Sequence, residues 1–313
     1  MNVNSFLDPL QELINCTLCP RKCHVNRLVG ELGYCKTDAS FNIASICIHK
    51  GEEPVISGKK GICNVFFTNC NLQCIYCQNH QISDIRSDRR ASIMELDIVV
   101  GKITAILDSG INLVGFVSPS HTIPQMKVII NAVNAQGYKP RWVYNSNGYD
   151  DADTLKSLEG IIDVYLPDFK YLDIQLSKKY SDAANYPECA SKALREMYRQ
   201  KGSAVHLDKD GIIESGMIIR HLVLPGALDN SRKVLRFIAE ELSPRMFISL
   251  MSQYFPTVKA ATFHPLNRLV LQSEYQMIIE EMENLEMYNG WIQEYESNAF
   301  YHPDFDRQNP FEE

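Results

Sequence analysis

The chain has 313 residues, of which 45% are hydrophobic, and this is enough for one large α/β domain with a sizeable core. Its formal charge of −7 comes from 38 acidic and 31 basic residues spread along the chain, which argues against a general nucleic-acid or membrane-surface binder. The sequence shows neither a secretory signal segment nor an apolar run long enough to span a membrane. We therefore expect a cytoplasmic protein whose 10 cysteines are reduced thiols or metal ligands.

A first group of four cysteines lies near the amino terminus, in the spacing C-x2-C-x3-C-x11-C: Cys16, Cys19, Cys23 and Cys35. Four thiolates match the ligand number of a structural zinc ion and also that of a second, auxiliary iron–sulfur cluster. A thiol switch is a third interpretation. We assign residues 1–62 to an N-terminal cysteine-rich extension that binds metal.

From residue 63 onward, short apolar strands alternate with amphipathic helices, which is the pattern of parallel β/α units. We predict strands at residues 64–68, 113–117, 142–144, 164–166, 217–224 and 247–250. Six such units make an α/β partial barrel, open on one side, over residues 63–256. Residues 257–313 are expected to supply a C-terminal helix and a tail that pack on the barrel, with the tail loosely ordered.

A second group of cysteines, Cys70, Cys74 and Cys77, follows the first predicted barrel strand in the spacing C-x3-C-x2-C. In parallel α/β folds, loops at the carboxyl ends of the strands form the active-site face. Three cysteines so close together cannot all pair with one another as disulfides, so a metal or cluster is the natural interpretation. A four-iron cluster held by three cysteines keeps one iron open for an external ligand.

This loop resembles the signature of the radical S-adenosylmethionine (SAM) superfamily, because Tyr76 precedes the third cysteine and a strand precedes the first. The flanking run from Phe66 to Cys74, followed by Gln78-Asn79, is similar to the branch related to pyruvate formate-lyase activating enzyme. Three further runs resemble a poorly characterised subgroup of that branch, which has an N-terminal cysteine knuckle. They are Cys-x2-Cys-Pro at Cys16, Gly51-Glu52-Glu53-Pro54 and Met251-Ser252-Gln253-Tyr254. The resemblance covers roughly residues 16–256 and implies a partial (β/α)6 barrel of the radical SAM type.

The resemblance also implies a chemistry. Cys70, Cys74 and Cys77 would hold a 4Fe-4S cluster, SAM would chelate the open iron, and Tyr76 would contact the adenine. Reductive cleavage of SAM would give methionine and a 5′-deoxyadenosyl radical that abstracts hydrogen from a substrate, which makes the chain an oxidoreductase. Flavodoxin or ferredoxin is the expected low-potential electron donor.

The sequence does not identify the substrate, whether SAM is consumed, or the oligomeric state. A small metabolite and a peptide or protein are both open, and one alternative is a glycyl-radical-enzyme activase that acts on a protein glycine. A non-catalytic iron–sulfur electron carrier or oxygen sensor is an alternative from a different class, and it predicts no SAM binding.

Polar residues after the second and third barrel strands are candidates for contacts with SAM. Ser118, Ser120 and His121 stand where many relatives carry a Gly-Gly-Glu that holds the SAM amino group, and this departure counts against a standard activase. Asn145 and Asn147 lie in a run that resembles the Asp-Thr-Asn-Gly element of the activating enzymes, although Asn and Gly are also ordinary turn residues.

Charged residues near the later strands complete the candidates. Asp168 and Lys170 resemble the Asp-x-Lys element of the same branch, although a simple ion pair at the barrel rim is the alternative. Arg220 is the candidate for the SAM carboxylate, because a guanidinium binds carboxylates in a bidentate way. Glu52 and Glu53 are either solvated loop residues or close the substrate side of the site.

Overall fold

The computed structural model describes residues 3–86, 93–299, 302–307 and 309–311. The outermost residues of the predicted extension and part of the predicted tail therefore lie outside the described residues. None of the helices in the described ranges has the combination of length and apolar character that a membrane-spanning helix requires.

The strands form one sheet in the order β1-β2-β3-β4-β5-β7-β8-β9, and the short β6 pairs with β7. Six of them, β2, β3, β4, β5, β7 and β8, are parallel and follow chain order, which confirms the predicted α/β partial barrel. β9 extends the parallel sheet beyond β8. The strands are β1 Ile43–His49, β2 Ile62–Phe67, β3 Leu113–Val117, β4 Arg141–Ser146, β5 Val164–Pro167, β6 His206–Leu207, β7 Ile213–Leu222, β8 Phe247–Met251 and β9 Gly290–Ile292.

Helices follow the parallel strands and cover the outside of the sheet. In the first long one, Val99, Ile103 and Leu107 repeat at helical spacing and are buried, and the helix stops before Gly110, whose φ of +87° suits glycine. The helices are α1 Pro54–Ser57, α2 His80–Ser83, α3 Leu96–Asp108, α4 Ile123–Ala135, α5 Ala152–Lys156, α6 Ile174–Ser181, α7 Tyr186–Lys201, α8 Leu228–Phe237 and α9 Gln272–Asn284.

Strand β1 was not among the predicted strands. It pairs antiparallel with β2, so the extension contributes an edge strand to the barrel sheet. Its residues alternate between buried and half-buried, which is the two-residue period of a strand with one covered face. The prediction followed the repeating parallel β/α pattern, in which an antiparallel edge strand has no place.

The C-terminal tail packs on the barrel sheet where the structure describes it. The rings of Phe305 and Phe311 pack against Phe66 of β2, with centroids 5.2 and 5.6 Å away. Phe311 also packs on His49, at 4.0 Å.

Candidate active site

A cavity of about 480 Å³ lies at the carboxyl ends of the parallel strands. It has the size of an ordinary small-molecule site. The structure brings most of the predicted site residues to its walls: Cys70, Cys74, Tyr76, Cys77, Ser118, Asn145, Asn147, Asp168, Lys170 and Arg220.

The cysteine loop is held in place by backbone hydrogen bonds on both sides. The chain leaves β2 at Phe67 and turns at Asn69, which adopts a left-handed conformation with φ of 63°. Asparagine tolerates this conformation better than most residues. The Asn69 N–H donates to the carbonyl of Ile82 and the Ile75 N–H to that of Tyr180, so the loop is tied to α2 and to α6.

Each sulfur of the loop accepts a hydrogen bond from a side chain in a different part of the chain. The pairs are Asn147 Nδ2 to Cys70 Sγ at 3.2 Å, Ser181 Oγ to Cys74 Sγ at 3.0 Å and Ser83 Oγ to Cys77 Sγ at 3.2 Å. Such donors stabilise sulfur that carries negative charge. Burial raises the pKa of the Cys70 thiol to about 12 and that of Cys74 to about 11. A bound metal would favour the thiolate form of both, because a metal ligand must be deprotonated.

Tyr76 lies in a row of hydrogen-bonded hydroxyl groups that ends on the cysteine loop. Its hydroxyl shares a hydrogen bond of 2.5 Å with Tyr171, and the Tyr171 hydroxyl lies 2.8 Å from Ser181 Oγ. Ser181 in turn donates to Cys74. The Tyr76 hydroxyl therefore already has a hydrogen-bond partner, so a ligand in the cavity would contact the aromatic ring of Tyr76.

Arg220 connects the charged groups of the cavity. Its guanidinium contacts Asp168 Oδ1 at 2.9 Å, Glu52 Oε2 at 3.1 Å and Asn145 Oδ1 at 2.6 Å. Lys170 Nζ lies 2.6 Å from Asp168 Oδ2. Burial alone would raise the pKa of Asp168, but the Lys170 and Arg220 charges hold it below its usual range. A carboxylate ligand of Arg220 would thus have to share a guanidinium that two carboxylates already engage.

Glu52 and Glu53 line the cavity; the Glu52 side chain is 7% exposed and Glu53 is 8% exposed, so the interpretation of both as solvated loop residues is wrong. Burial would raise the pKa of Glu52, but its bond to His49, together with the His49 and Arg220 charges, lowers it to about 2. Glu53 differs, because its Oε2 has no hydrogen-bond partner among the described residues and burial raises its pKa. The cavity therefore contains one ionised glutamate and one whose charged form is disfavoured.

The three residues predicted after the second barrel strand separate in the structure. Ser118 lines the cavity, whereas Ser120 and His121 are fully buried in a short turn behind it and do not line it. His121 Nε2 lies 3.1 Å from the carbonyl oxygen of Thr68, and its own carbonyl accepts a hydrogen bond from Arg27. Burial lowers the pKa of His121 to about 4, so the ring is neutral.

The four N-terminal cysteines line a second, small cavity behind the Cys70 loop, together with Arg21, Lys22, Arg27 and His121. None of these four cysteines forms a disulfide. In the described part of the chain, no group of three or more His, Cys, Asp or Glu side chains is gathered to hold a single metal ion. That finding concerns a single ion, because a polynuclear cluster spreads its ligands more widely.

Sequence reasoning missed Ser83, Ser181 and Tyr171. Ser83 follows Cys77 by six residues, and this nearness was the one available signal. Tyr171 lies just before α6, the first helix of the insertion between β5 and β7, and Ser181 is the last residue of that helix. Both reach the cysteine loop only through the tertiary fold.

Comparisons with known proteins agree with a cluster at this site. Residues 56–193, which include Cys70, Cys74 and Cys77, match a family model described as a 4Fe-4S single cluster domain. The chain is also 28% identical over 282 residues to an uncharacterized protein of Methanocaldococcus jannaschii, with 88% of this chain and 75% of that protein covered.

Two solved structures are similar at low identity. A domain of pyruvate-formate lyase-activating enzyme from Bacteroides vulgatus is 16% identical, covers 53% of this chain and 88% of its own, and has a TM-score of 0.38. The FeFe-hydrogenase maturase HydG is 11% identical, covers 93% of this chain and 63% of its own, and has a TM-score of 0.47. Neither score is high enough to carry an argument, so the assignment of a 4Fe-4S cluster rests on the family match and the cysteine loop.

Proposed function

From its resemblance to the radical SAM superfamily, in the branch related to pyruvate formate-lyase activating enzyme, we propose that this chain is a radical SAM enzyme. The observation that carries the proposal is the position of Cys70, Cys74 and Cys77: they line one wall of the cavity at the strand ends, and their family match is to a 4Fe-4S domain. The substrate is unidentified, and a protein glycine is one candidate.

The donor set fits a cluster with an open iron. Three soft thiolate ligands come from one loop, each with its own hydrogen-bond donor, and the cavity lies on their open side. When bound, the cluster and SAM supply one-electron cleavage of the sulfonium and hydrogen abstraction from the substrate. Cys70, Cys74 and Cys77 would hold the cluster.

The chain's other residues would bind and orient SAM. The charges of Asp168, Lys170 and Arg220 lie beside the cysteine wall, where they would meet the amino and carboxylate groups of a methionyl moiety. Asn145 orients the guanidinium through its 2.6 Å contact. Ser118 and the ring of Tyr76 complete the wall on the sides of β3 and the cysteine loop.

The N-terminal extension and the C-terminal tail would both help to exclude water from the cavity. Phe311 of the tail and Glu53 of the extension line the same cavity as the cysteines. We propose accordingly that residues 1–62, 63–256 and 257–313 act as one unit. We propose that a low-potential flavodoxin or ferredoxin supplies the electron and that the enzyme acts in the cytoplasm.

The test is anaerobic reconstitution with iron and sulfide, reduction, and measurement of 5′-deoxyadenosine formed from SAM. The wild type should form it and Cys74→Ala should not, because that variant lacks one of the three ligands. Cys189→Ala is the matched control, since Cys189 is a half-buried thiol on α7 outside the central cavity, and it should keep the activity. An intact, reduced cluster that forms no 5′-deoxyadenosine would instead favour an electron carrier or oxygen sensor.

A further inference from the structure

The four N-terminal cysteines come together although they belong to two separate loops. Cys16, Cys19 and Cys23 share a tight turn closed by hydrogen bonds from Lys22 N to Cys19 O and from His24 N to Cys16 O, each 3.0 Å. Cys35 reaches the same small cavity from a second turn. Three cysteines near in sequence and one more distant cysteine thus line a single cavity.

This three-plus-one arrangement is the pattern of iron–sulfur ligation, in which a short cysteine loop supplies three ligands and a remote cysteine the fourth. Structural zinc sites more often use two pairs of closely spaced ligands. We propose that Cys16, Cys19, Cys23 and Cys35 bind a second, reducible 4Fe-4S cluster. The proposal deepens the proposed function and rests on it for the role of the cluster, though not for its presence.

The charges around the site suit an anionic cluster. The residues that line its cavity include Arg21, Lys22 and Arg27, and none of the lining residues is acidic. The Arg27 guanidinium lies 3.8 Å from Cys16 Sγ, and the Tyr34 N–H donates to Cys23 Sγ at 3.3 Å. Positive charge and N–H donors stabilise the additional electron of a reduced cluster, because reduction makes the cluster more negative.

The N-terminal cysteine site is in direct contact with the loop that carries Cys70, Cys74 and Cys77. Arg21 Nε donates to the carbonyl of Asn71, the residue after Cys70, at 3.0 Å. Asn147 Nδ2 contacts both the Asn71 side chain, at 2.8 Å, and Cys70 Sγ, at 3.2 Å. One shared residue, Asn71, therefore joins the two sites, and a second cluster would stand beside the first as a one-electron centre.

Iron, sulfide and zinc should be counted in anaerobically reconstituted full-length protein, with 5′-deoxyadenosine measured on the same samples. The wild type should contain about eight irons and eight sulfides per chain, since each 4Fe-4S cluster holds four of each. A variant with Cys70→Ala, Cys74→Ala and Cys77→Ala should keep about half of the iron and still give an electron paramagnetic resonance signal after reduction with dithionite. A variant with Cys19→Ala and Cys35→Ala should also lose about half of the iron.

Cys189→Ala should retain the full iron content. About four irons with one zinc per wild-type chain would overturn the proposal in favour of a structural zinc ion, and about four irons without zinc would overturn it as well. If the Cys19→Ala and Cys35→Ala variant fails to fold, the triple variant of the Cys70 loop decides, because it keeps all four N-terminal cysteines. A full iron count without 5′-deoxyadenosine would reject the proposed enzyme and leave the second cluster standing.

Discussion

The hydrogen bond from Ser181 to Cys74 should set part of the reduction potential of the cluster that Cys70, Cys74 and Cys77 would hold. Ser181→Ala removes the hydroxyl that donates to Cys74 Sγ at 3.0 Å and leaves the cysteine ligand in place. The bond is stronger in the reduced state because reduction increases the negative charge on the sulfur. Loss of the donor should therefore lower the potential.

The size of the shift follows from the value of one such bond. A hydrogen bond to a charged group contributes about 1.5–3 kcal/mol, and only its difference between the two oxidation states affects the potential. If that difference is about 1 kcal/mol, the one-electron potential falls by about 40 mV, since a tenfold change in equilibrium corresponds to ~59 mV. Tyr171 loses its partner at Ser181 as well, but it keeps its hydrogen bond to Tyr76.

The assay is a redox titration of the reconstituted protein, without SAM, followed by electron paramagnetic resonance. Ser177→Ala is the matched control, because Ser177 is buried on the same helix and its hydroxyl donates to the carbonyl of Ile174. The potential of Ser181→Ala should lie below that of Ser177→Ala. Equal potentials in two variants with intact clusters, or a higher potential in Ser181→Ala, would refute the reasoning.

Three other perturbations have defined outcomes. Burial lowers the pKa of both His121 and His221 to about 4, so the unfolded state binds more protons than the folded state between about pH 6.5 and pH 4. The free energy of unfolding should therefore fall by about 3 kcal/mol per histidine as the pH falls through this window. A denaturation midpoint that stays constant over the window would contradict the burial of neutral histidines. Burial raises the pKa of Glu53, so the folded state loses stability as the pH rises above the pKa that this glutamate has in the unfolded chain. Glu53→Gln should therefore raise the melting temperature more at pH 8 than at pH 5. An equal rise at both pH values would contradict the raised pKa. Arg220→Lys removes the fork that contacts Asp168, Glu52 and Asn145 and should weaken SAM binding at least about tenfold in equilibrium dialysis, whereas Arg195→Lys, an exposed pair partner, should not change it.

The parts of the fold that were predictable are those specified by local pattern. The β/α alternation locates β2, β3, β4, β5, β7 and β8, because a buried parallel strand is a short apolar run and the next helix shows a 3.6-residue period. The spacing C-x3-C-x2-C is enough to predict that Cys70, Cys74 and Cys77 form a metal- or cluster-binding loop. Strand β1 was missed because it pairs antiparallel with β2 and therefore falls outside the repeating parallel β/α pattern.

Side-chain direction at the site was less predictable. The sequence places Ser118, Ser120 and His121 side by side after a strand, but a tight turn over residues 119–121 directs the last two into the protein interior. Ser181 lies far from Cys74 in sequence and meets its sulfur only because the insertion folds back over the loop. Contacts of this kind depend on tertiary packing and leave no periodic signal in the chain.

The packing of the tail against β2 has a consequence for the order in which the protein is made. Phe305 and Phe311 follow every strand of the sheet in sequence, yet they cover Phe66, and Phe311 forms part of the cavity wall. During synthesis, both groups of cysteines emerge from the ribosome long before this wall exists. A nascent chain thus presents its cysteine loop with the cavity still open on the tail side, and that wall forms only after Phe311 has been synthesised.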